Sequence, residues 1–283
     1  MTVSIDNTVA EAAKLLKTKG VDRPHLEASL LLADLLGRDR AYLIAHGADE
    51  VAADQYEDFK SRIARRAAGE PLQYITGHQE FFKLDFEVTP DVLIPRSETE
   101  LIVEAALDLI DKTSALRFAE IGTGSGCIAI TLLREFLNFR AIAVDISIAA
   151  LKVARRNAER HRVTDRLRLI ESDGFGAIEP NETFELIVSN PPYVSDEEME
   201  RLQREVRFEP ARALAGGPDG FAVIRELLND APAFLQSGGY FIFEIGFGQG
   251  ETVKELIDQQ VWELIEIRHD LADIPRTVVL RKN

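Results

Sequence analysis

The stretch Glu120-Ile121-Gly122-Thr123-Gly124-Ser125-Gly126 lies between a short apolar run and a segment with helical spacing. Glycine lets a backbone turn tightly and approach a ligand closely, and a helix start offers free N–H groups. A dinucleotide-binding loop is spaced G-x-G-x-x-G, and a phosphate loop ends in G-K-[ST]. This stretch fits neither, because its glycines are spaced G-x-G-x-G and no lysine follows. It predicts a strand, a ligand-binding glycine loop and a helix.

Strand-like and helix-like segments alternate on both sides of this loop. The predicted strands are 116–121, 140–144, 167–171, 184–189, 239–245, 262–269 and 277–281, and the predicted helices are 98–111, 125–137, 147–161, 197–206, 219–235 and 248–259. This alternation predicts an α/β fold with a mostly parallel, Rossmann-like seven-stranded sheet and helices on both faces. Ligands of such folds bind beyond the carboxyl ends of the strands.

Acidic residues follow the next two predicted strands. Asp145 ends the second strand and Asp173 follows the third. A carboxylate at the second position can accept hydrogen bonds from both hydroxyls of a ribose, as in dinucleotide folds. We therefore predict a nucleoside-containing cofactor. Its predicted contacts are Gly122, Thr123, Gly124, Ser125, Gly126, Asp145, Asp173, Gly174 and Asn190.

The segment Asn190-Pro191-Pro192-Tyr193 follows the fourth strand, and its prolines hold a stiff loop. The Asn190 side chain and the Pro191 backbone each offer a carbonyl acceptor to a planar –NH2 group. Such a nitrogen is a poor nucleophile, and acceptors that strengthen as it becomes cationic favour its transition state. We predict Asn190, Pro191 and Tyr193 as catalytic residues. The whole segment, Asn190, Pro191, Pro192 and Tyr193, is the predicted substrate site, with Tyr193 as a flat wall.

The remaining segments predict the domain organisation. Residues 1–77 carry leucine-rich helical patterns and predict a small amino-terminal helical bundle. Because the catalytic domain is complete without this bundle, we expect it to recognise the substrate. Residues 78–97 are rich in aromatic and β-type residues and predict a β-hairpin linker. The catalytic domain would span 98–283. Ser97 and Glu100 have the spacing of a capping box at the start of its first helix.

The composition excludes several classes of protein. The 283 residues carry 33 Lys plus Arg against 48 Asp plus Glu, for a net charge of −15. Such a chain is a poor candidate for broad binding to nucleic acid. The single Cys127 excludes a disulfide framework or a cysteine-rich zinc site, so no metal is predicted. No apolar signal sequence or window of about 18 apolar residues occurs. We therefore expect no membrane partner and a cytoplasmic location.

The motifs carry a family resemblance over nearly the whole chain. The G-x-G-x-G loop with its strand-end acid resembles class I S-adenosylmethionine-dependent methyltransferases. Further motifs are GEPLQYITGHQEFF at 69–82, VLIPRSETE at 92–100, FEPARALAGGPDG at 208–220 and FEIGFGQG at 243–250. Together with Asn190–Tyr193 they resemble the HemK-type family of peptide chain release factor N5-glutamine methyltransferases. The resemblance implies S-adenosylmethionine as cofactor and, as substrate, the glutamine of the Gly-Gly-Gln motif in class I release factors.

The chain departs from the family pattern at three positions. Ser97 replaces a usual proline, and Glu120 stands where aspartate is common. Gly174 replaces the aromatic residue that commonly follows Asp173, so stacking on adenine would pass to Phe175. The roles of Arg96 and Glu98 do not follow from the sequence.

Other functions remain open at this point. The related ribosomal protein glutamine N5-methyltransferases share Asn-Pro-Pro-Tyr. An adenine N6-methyltransferase of nucleic acid would need a basic groove, and the only basic cluster lies within residues 152–168. An idle cofactor-binding scaffold, such as a haem-related one, would need an axial histidine or cysteine. We expect a monomer that binds release factor and makes no direct contact with nucleic acid.

Overall fold

The computed structural model describes residues 3–283, which divide into two compact units. The first unit runs to His78 and also includes Gln203–Phe208, and the second comprises Gln79–Leu202 and Glu209–Asn283. The first unit contains α1 (Ile5–Thr18), α2 (Pro24–Leu36), α3 (Arg40–Ala45), α4 (Ala53–Ala67) and α5 (Leu72–Thr76), with a short antiparallel pair β1 (Val3–Ser4) and β2 (Glu50–Val51).

The helices of the first unit pack around an apolar core. Leu16, Leu31 and Leu32 are fully buried there, and Phe59 of α4 is almost fully buried. They lie on the inward faces of their helices, so the leucine stripe seen in the sequence is core.

The segment Gln203–Phe208 joins the first unit through polar contacts. Buried Arg66 donates to Glu27 and, over 3.0 Å, to Glu205, and Arg204 donates to the Ala67 carbonyl over 2.8 Å. Pairing within the first unit therefore compensates the buried Arg66 charge.

A two-stranded hairpin connects the helices to the large sheet. Its strands are β3 (His78–Phe81) and β4 (Leu84–Glu87). The two turn residues Phe82 and Lys83 have φ values of +49° and +62°, which is the positive region that tight two-residue hairpin turns require. The predicted hairpin is confirmed.

The second unit is built on a seven-stranded sheet. Its strands are β5 (Arg117–Ile121), β6 (Arg140–Asp145), β7 (Leu167–Glu171), β8 (Phe184–Ser189), β9 (Leu235–Glu244), β10 (Trp262–His269) and β11 (Pro275–Lys282), in the order β10-β11-β9-β8-β5-β6-β7. Strands β5 to β9 pair in parallel, and β11 is antiparallel to both of its neighbours. This confirms the predicted fold class.

Helices cover both faces of this sheet. They are α6 (Glu100–Leu109), α7 (Cys127–Glu135), α8 (Ile148–Arg160), α9 (Asp196–Glu200), α10 (Ala222–Phe234) and α11 (Gly250–Leu256). Alternate residues of β5 enter different cores, since Phe118 packs with α6 and α7 whereas Ala119 packs with α10. A strand buried on both faces is continuously apolar, which is why these strands are recognisable in the sequence.

Two local predictions are wrong. The helix predicted over 197–206 is only α9, which buries no residue, followed by a short 3-10 turn at Val206–Phe208. Ser97 does not cap α6, because its hydroxyl donates to Glu98 over 2.9 Å while the Glu100 carboxylate accepts from the Phe82 N–H over 2.7 Å. The hairpin takes the carboxylate that a capping box would have used.

Candidate active site

The candidate site lies at the carboxyl ends of β5 and β8, where the strand order reverses direction. Such a switch point leaves a crevice above the sheet. The Ser189 hydroxyl donates to the Ile121 carbonyl over 2.7 Å and holds the two strand ends together. A cavity of about 770 Å³ opens there, and residues 122–125 and 190–192 both line it. The structure therefore places the glycine loop and the Asn-Pro-Pro segment in one cavity.

The glycine loop presents open backbone to this cavity. Gly122 and Gly124 have φ values of +76° and +55°, a region that L side chains rarely adopt. A Cβ on Gly124 would meet nothing within 4 Å, and one on Gly122 only the Asn190 carbonyl at 4.0 Å. The N–H groups of Gly122 and Thr123 both donate to the Val144 carbonyl, which anchors the loop to β6.

Gly126 has a different place in the structure. It does not line the cavity, and a Cβ there would lie 2.9 Å from Ile130 Cδ1 and 3.3 Å from Ala154 Cβ. Its missing side chain thus lets α7 pack closely on α8. Its predicted contact with the cofactor stays a prediction.

Asp145 lies at the end of β6 and lines the cavity. Its Oδ2 accepts from the Gly124 N–H over 2.8 Å, and its Oδ1 accepts from the Ser147 N–H over 2.9 Å. Burial raises the pKa of this carboxyl, although the two backbone donors oppose the shift. Each oxygen can accept a second hydrogen bond. The carboxylate is therefore fixed in place with capacity left for two hydroxyl groups.

Glu120 is a buried carboxyl in the cavity wall with an incomplete set of partners. Its Oε2 accepts from the Thr123 hydroxyl over 2.6 Å and from the Ala129 N–H over 3.1 Å, whereas Oε1 has no hydrogen-bond partner among residues 3–283. Burial raises the pKa of Glu120 to about 8. An unpartnered buried oxygen is costly, and a cationic group of a ligand would satisfy it.

The loop after β7 completes this side of the cavity. Asp173 and Gly174 line it, as does buried Phe175. The Ser172 hydroxyl donates to the Gly174 carbonyl over 2.9 Å and shapes the loop. The Phe175 ring stacks on Phe234 at a centroid distance of 4.8 Å, so one face of the ring is already covered. Its predicted stacking on adenine stays a prediction.

The Asn190–Tyr193 segment is held from behind by residues of α6 and β9 and their adjoining turns. Asn190 Nδ2 donates to the Thr99 hydroxyl over 3.0 Å. The Tyr193 hydroxyl donates to Glu244 Oε1 over 3.0 Å, and burial together with the Glu244 charge raises the pKa of Tyr193. Pro191 and Pro192 line the cavity, whereas Tyr193 does not. The structure thus places Tyr193 behind the wall, and its predicted stacking role stays a prediction.

Several wall residues are absent from the sequence prediction. They include Asp91, Thr99, Ser172, Arg212, Glu226 and Asp230. Thr99 and Arg212 lie in the motifs VLIPRSETE and FEPARALAGGPDG. These motifs support the family resemblance but indicate no role for either residue. No sequence motif marks Glu226 and Asp230 of α10, because only the tertiary fold brings that helix to the cavity.

The structure supplies a role for Arg96. Its guanidinium pairs with Glu209 Oε1, and the second oxygen of this buried carboxylate accepts from the Ile94 N–H over 3.1 Å. The segment before α6 is therefore fastened to the loop that follows the Asn-Pro-Pro-Tyr segment. Pro95 and Pro210, which lie next to these contacts, both line the cavity.

Comparison with known proteins identifies the family. The PrmC N-terminal domain matches residues 7–77, and the methyltransferase small domain matches residues 99–247. The chain is 44% identical over 272 residues to the release factor glutamine methyltransferase of Koribacter versatilis, which covers 96% of each chain. The chain belongs to the release factor glutamine methyltransferase family.

A more distant relative supports this assignment, and a solved structure shares the fold. The release factor glutamine methyltransferase of Nitratidesulfovibrio vulgaris is 37% identical over 283 residues, covering 99% of this chain and 96% of the relative. A crystal structure of a methyltransferase from Pyrococcus furiosus aligns with a TM-score of 0.54 at 21% identity, over 79% of this chain and 99% of that chain. The latter likeness shows a shared fold.

The cavity suits the cofactor of this S-adenosylmethionine-dependent family. S-adenosylmethionine carries an ammonium group and a ribose with two hydroxyls. The unpartnered Glu120 oxygen matches the ammonium group, and the two free acceptor positions of Asp145 match the hydroxyls. The residues of the release factor glutamine methyltransferase site therefore fit the cofactor.

The basic cluster of residues 152–168 has partners within the fold. Arg156 pairs with Glu87, Arg160 with Asp85 and Arg168 with Glu182, while Arg166 donates to the carbonyls of Leu133, Phe136, Leu137 and Phe139. Four basic residues of the cluster are therefore paired with other parts of the second unit.

Within residues 3–283, no helix combines the length and the apolar character needed to cross a membrane. In the same described range, no three histidine, cysteine or acidic side chains cluster in a way that would hold a metal ion.

Proposed function

We propose that this protein transfers a methyl group from S-adenosylmethionine to the side-chain amide nitrogen (N5) of a glutamine, and that the glutamine lies in the Gly-Gly-Gln motif of class I peptide chain release factors. The protein substrate is supported by relatives at 37–44% identity that are named release factor glutamine methyltransferases. The planar-nitrogen chemistry is supported by Asn190, Pro191 and Pro192 in the cavity wall.

One observation carries this proposal. Asn190 donates its Nδ2 to the hydroxyl of Thr99, which also lines the cavity, and this leaves Oδ1 as the acceptor of the same amide. A glutamine –NH2 can donate one hydrogen to Asn190 Oδ1 and the other to the Pro191 carbonyl. Two acceptors in fixed positions would orient the lone-pair face of the nitrogen toward the methyl donor. Such positioning alone removes much of the barrier.

The same acceptors favour the transition state electronically. The amide nitrogen gains positive charge as its bond to carbon forms, so hydrogen bonds from its two N–H groups strengthen. A strong base is not needed, because the methylated nitrogen is very acidic and gives its proton to water. The composition of the segment agrees with this chemistry. Asn190 and Pro191 supply acceptors, and the Asn-Pro-Pro-Tyr segment contains no basic side chain.

S-adenosylmethionine, when bound, supplies a methyl group on a positively charged sulfur. Glu120 would accept from its ammonium group, Asp145 would accept from its ribose hydroxyls, and the open backbone at Gly122 and Gly124 would lie against it. Asp173 and Gly174 would bound its adenine side. These assignments rest on the fixed carboxylates and the open glycine backbone of the cavity wall.

We propose that the amino-terminal bundle, residues 1–77, recognises the protein substrate and that a monomer is active. Second-unit residues supply the cavity, so the bundle has no part in cofactor binding. Ile44 of α3 is 79% exposed, and Ile44→Ser should raise KM for release factor about threefold with unchanged cofactor affinity. Leu137→Ser, at a residue 73% exposed in the second unit, is the matched control. An equal rise in KM for both variants would remove the case for recognition by the bundle.

Asn190→Ala tests the chemistry. It should abolish methyl transfer to release factor while cofactor affinity stays within about tenfold, roughly 1.4 kcal/mol. Asn138→Ala changes an exposed asparagine that follows α7 in the sequence. It should leave methyl transfer and cofactor affinity unchanged. Turnover at the wild-type rate in Asn190→Ala would contradict the two-acceptor mechanism.

The substrate is tested by incubating the enzyme with labelled S-adenosylmethionine and a cell lysate. Label on a release factor glutamine is expected. Label on a ribosomal protein would instead favour the related ribosomal glutamine N5-methyltransferases, and label on nucleic acid would favour adenine N6 methylation. The net charge of −15 makes the last outcome the least expected.

A further inference from the structure

Glu244, at the end of β9, is a buried carboxylate that does not line the cavity. Its Oε2 accepts from the Thr99 hydroxyl over 2.5 Å, and its Oε1 accepts from the Tyr193 hydroxyl over 3.0 Å. Both oxygens are thus engaged by residues that contact or belong to the Asn-Pro-Pro-Tyr segment. A buried charge costs free energy unless it is well partnered, so its presence in the core calls for a reason.

The direction of the hydrogen bonds supplies that reason. An ionised carboxylate can only accept, so Thr99 must use its single hydroxyl hydrogen toward Glu244. The Thr99 oxygen is then available only as an acceptor, and the side-chain group of Asn190 that can meet it is the –NH2. The chain Glu244–Thr99–Asn190 therefore leaves Asn190 Oδ1 as an acceptor.

We propose that Glu244 is a positioning residue that sets the orientation of the Asn190 amide through Thr99, so that an acceptor and not a donor faces the substrate amide. This rests on the proposed role of Asn190 as acceptor. If the chain ran in the opposite direction, Asn190 would present its –NH2 to a substrate –NH2, and two donors would face each other.

A second set of contacts holds the Asn-Pro-Pro-Tyr segment from the same β9 end. A Cβ at Gly246 would lie 2.9 Å from the Tyr193 ring, so the ring packs directly on this backbone. Gln249 Nε2 donates to the Tyr193 carbonyl over 3.0 Å, and its Oε1 accepts from the Gly246 N–H over 2.7 Å. The FEIGFGQG motif thus supports Tyr193 at its hydroxyl, its ring and its backbone.

The charge state of Glu244 depends on the groups that surround it. Burial raises its pKa to about 7, the Thr99 and Tyr193 hydroxyls and the Arg276 charge lower it, and Glu98 raises it. Buried Cys127 also faces this charge. Protonation would turn one Glu244 oxygen into a donor and allow the chain to reverse. At saturating cofactor, kcat should therefore reach its full value well above pH 7 and fall as pH is lowered through about 7.

The decisive variants are Thr99→Val, Thr99→Ser and Glu244→Gln in the full-length enzyme, assayed with release factor. Thr99→Val removes the hydroxyl and should lower kcat about 100-fold, whereas Thr99→Ser keeps it and should stay within about threefold of wild type. Glu244→Gln should lower kcat about tenfold and lose the decline below pH 7. Affinity for S-adenosylhomocysteine should stay near the wild-type value in all three, which also reports folding.

Each outcome bears on a separate claim. Wild-type kcat in Thr99→Val, or an unchanged acidic decline in Glu244→Gln, would overturn the positioning role while leaving Asn190 as acceptor. Full turnover in Asn190→Ala would overturn the proposed function itself. If Glu244→Gln fails to fold, the contrast between Thr99→Val and Thr99→Ser decides alone, because valine keeps the branched shape of threonine without the hydroxyl and serine keeps the hydroxyl.

Discussion

Two buried glutamates lie near the ends of strands in the second unit, and they differ in how completely they are partnered. Glu120 of β5 has one oxygen with two donors and one with none, whereas Glu244 of β9 has a donor on each oxygen. Burial raises the pKa of both. A carboxylate that lines the cavity with one unpartnered oxygen indicates a ligand that pairs with that oxygen. A complete carboxylate behind the wall points to the orientation of its neighbours.

The largest expected effect is a difference in cofactor affinity between a Glu120 variant and a Glu244 variant. Glu120→Gln removes the charge that would meet the ammonium group, and should weaken binding of S-adenosylhomocysteine about 100-fold. Glu244→Gln, the matched control, should change that affinity less than about threefold. Isothermal titration calorimetry on both purified variants measures this difference. Equal losses in the two would abolish the distinction between a ligand-binding and a positioning carboxylate.

The pH dependence of cofactor affinity sharpens the same contrast. The pKa of Glu120 is raised to about 8, so the free enzyme must lose a proton before this carboxylate can pair with a cation. Affinity should rise with pH, by up to about tenfold per unit, and level off above about pH 8. In Glu120→Gln the dependence should be flat, while Glu244→Gln should retain it. A wild-type slope in Glu120→Gln would contradict the assignment.

A smaller effect is expected from Gly246→Ala. The added methyl would lie 2.9 Å from the Tyr193 ring and 3.1 Å from Gln249 Oε1, so Tyr193 must shift. We expect kcat to fall about five- to tenfold with little change in cofactor affinity. Phe247→Ala changes the adjacent residue, which is 76% exposed, and serves as the control in the same steady-state assay. A loss of cofactor affinity that matches the loss in kcat would show that the substitution disturbs the cofactor site and does not act through Tyr193 alone.

The smallest effect concerns thermal stability without ligand. A carboxyl whose pKa is higher in the folded than in the unfolded protein stabilises the fold below the unfolded value, 4.5, and loses that contribution as pH rises toward 8. Wild-type Tm should therefore fall more between pH 6 and 9 than Tm of Glu120→Gln, by a few degrees. Differential scanning calorimetry of the two proteins measures it, and parallel curves would show that Glu120 keeps its usual pKa.

The sequence predicts the features that depend on local order along the chain. The glycine loop, Asp145 and the Asn190–Tyr193 segment each follow a strand, and the carboxyl ends of parallel strands meet at one edge. Thr99 and Glu244 could not be assigned in this way, since their contact joins residues far apart in the chain. The capping box predicted at Ser97 is wrong for the opposite reason. The Glu100 carboxylate accepts a long-range hydrogen bond from the Phe82 N–H and does not complete the local pattern.

The segment Gln203–Phe208 makes the first unit discontinuous in sequence. During synthesis, Arg66 and Glu27 leave the ribosome long before Glu205. The buried guanidinium can therefore gain its second carboxylate only after β5 to β8 of the sheet have been translated. Cutting the chain after the helical bundle would separate these partners. The full set of contacts around Arg66 is thus available only after a loop from the middle of the methyltransferase domain has been made, and a terminal truncation would leave Glu205 and Arg204 without the contacts they make in the intact chain.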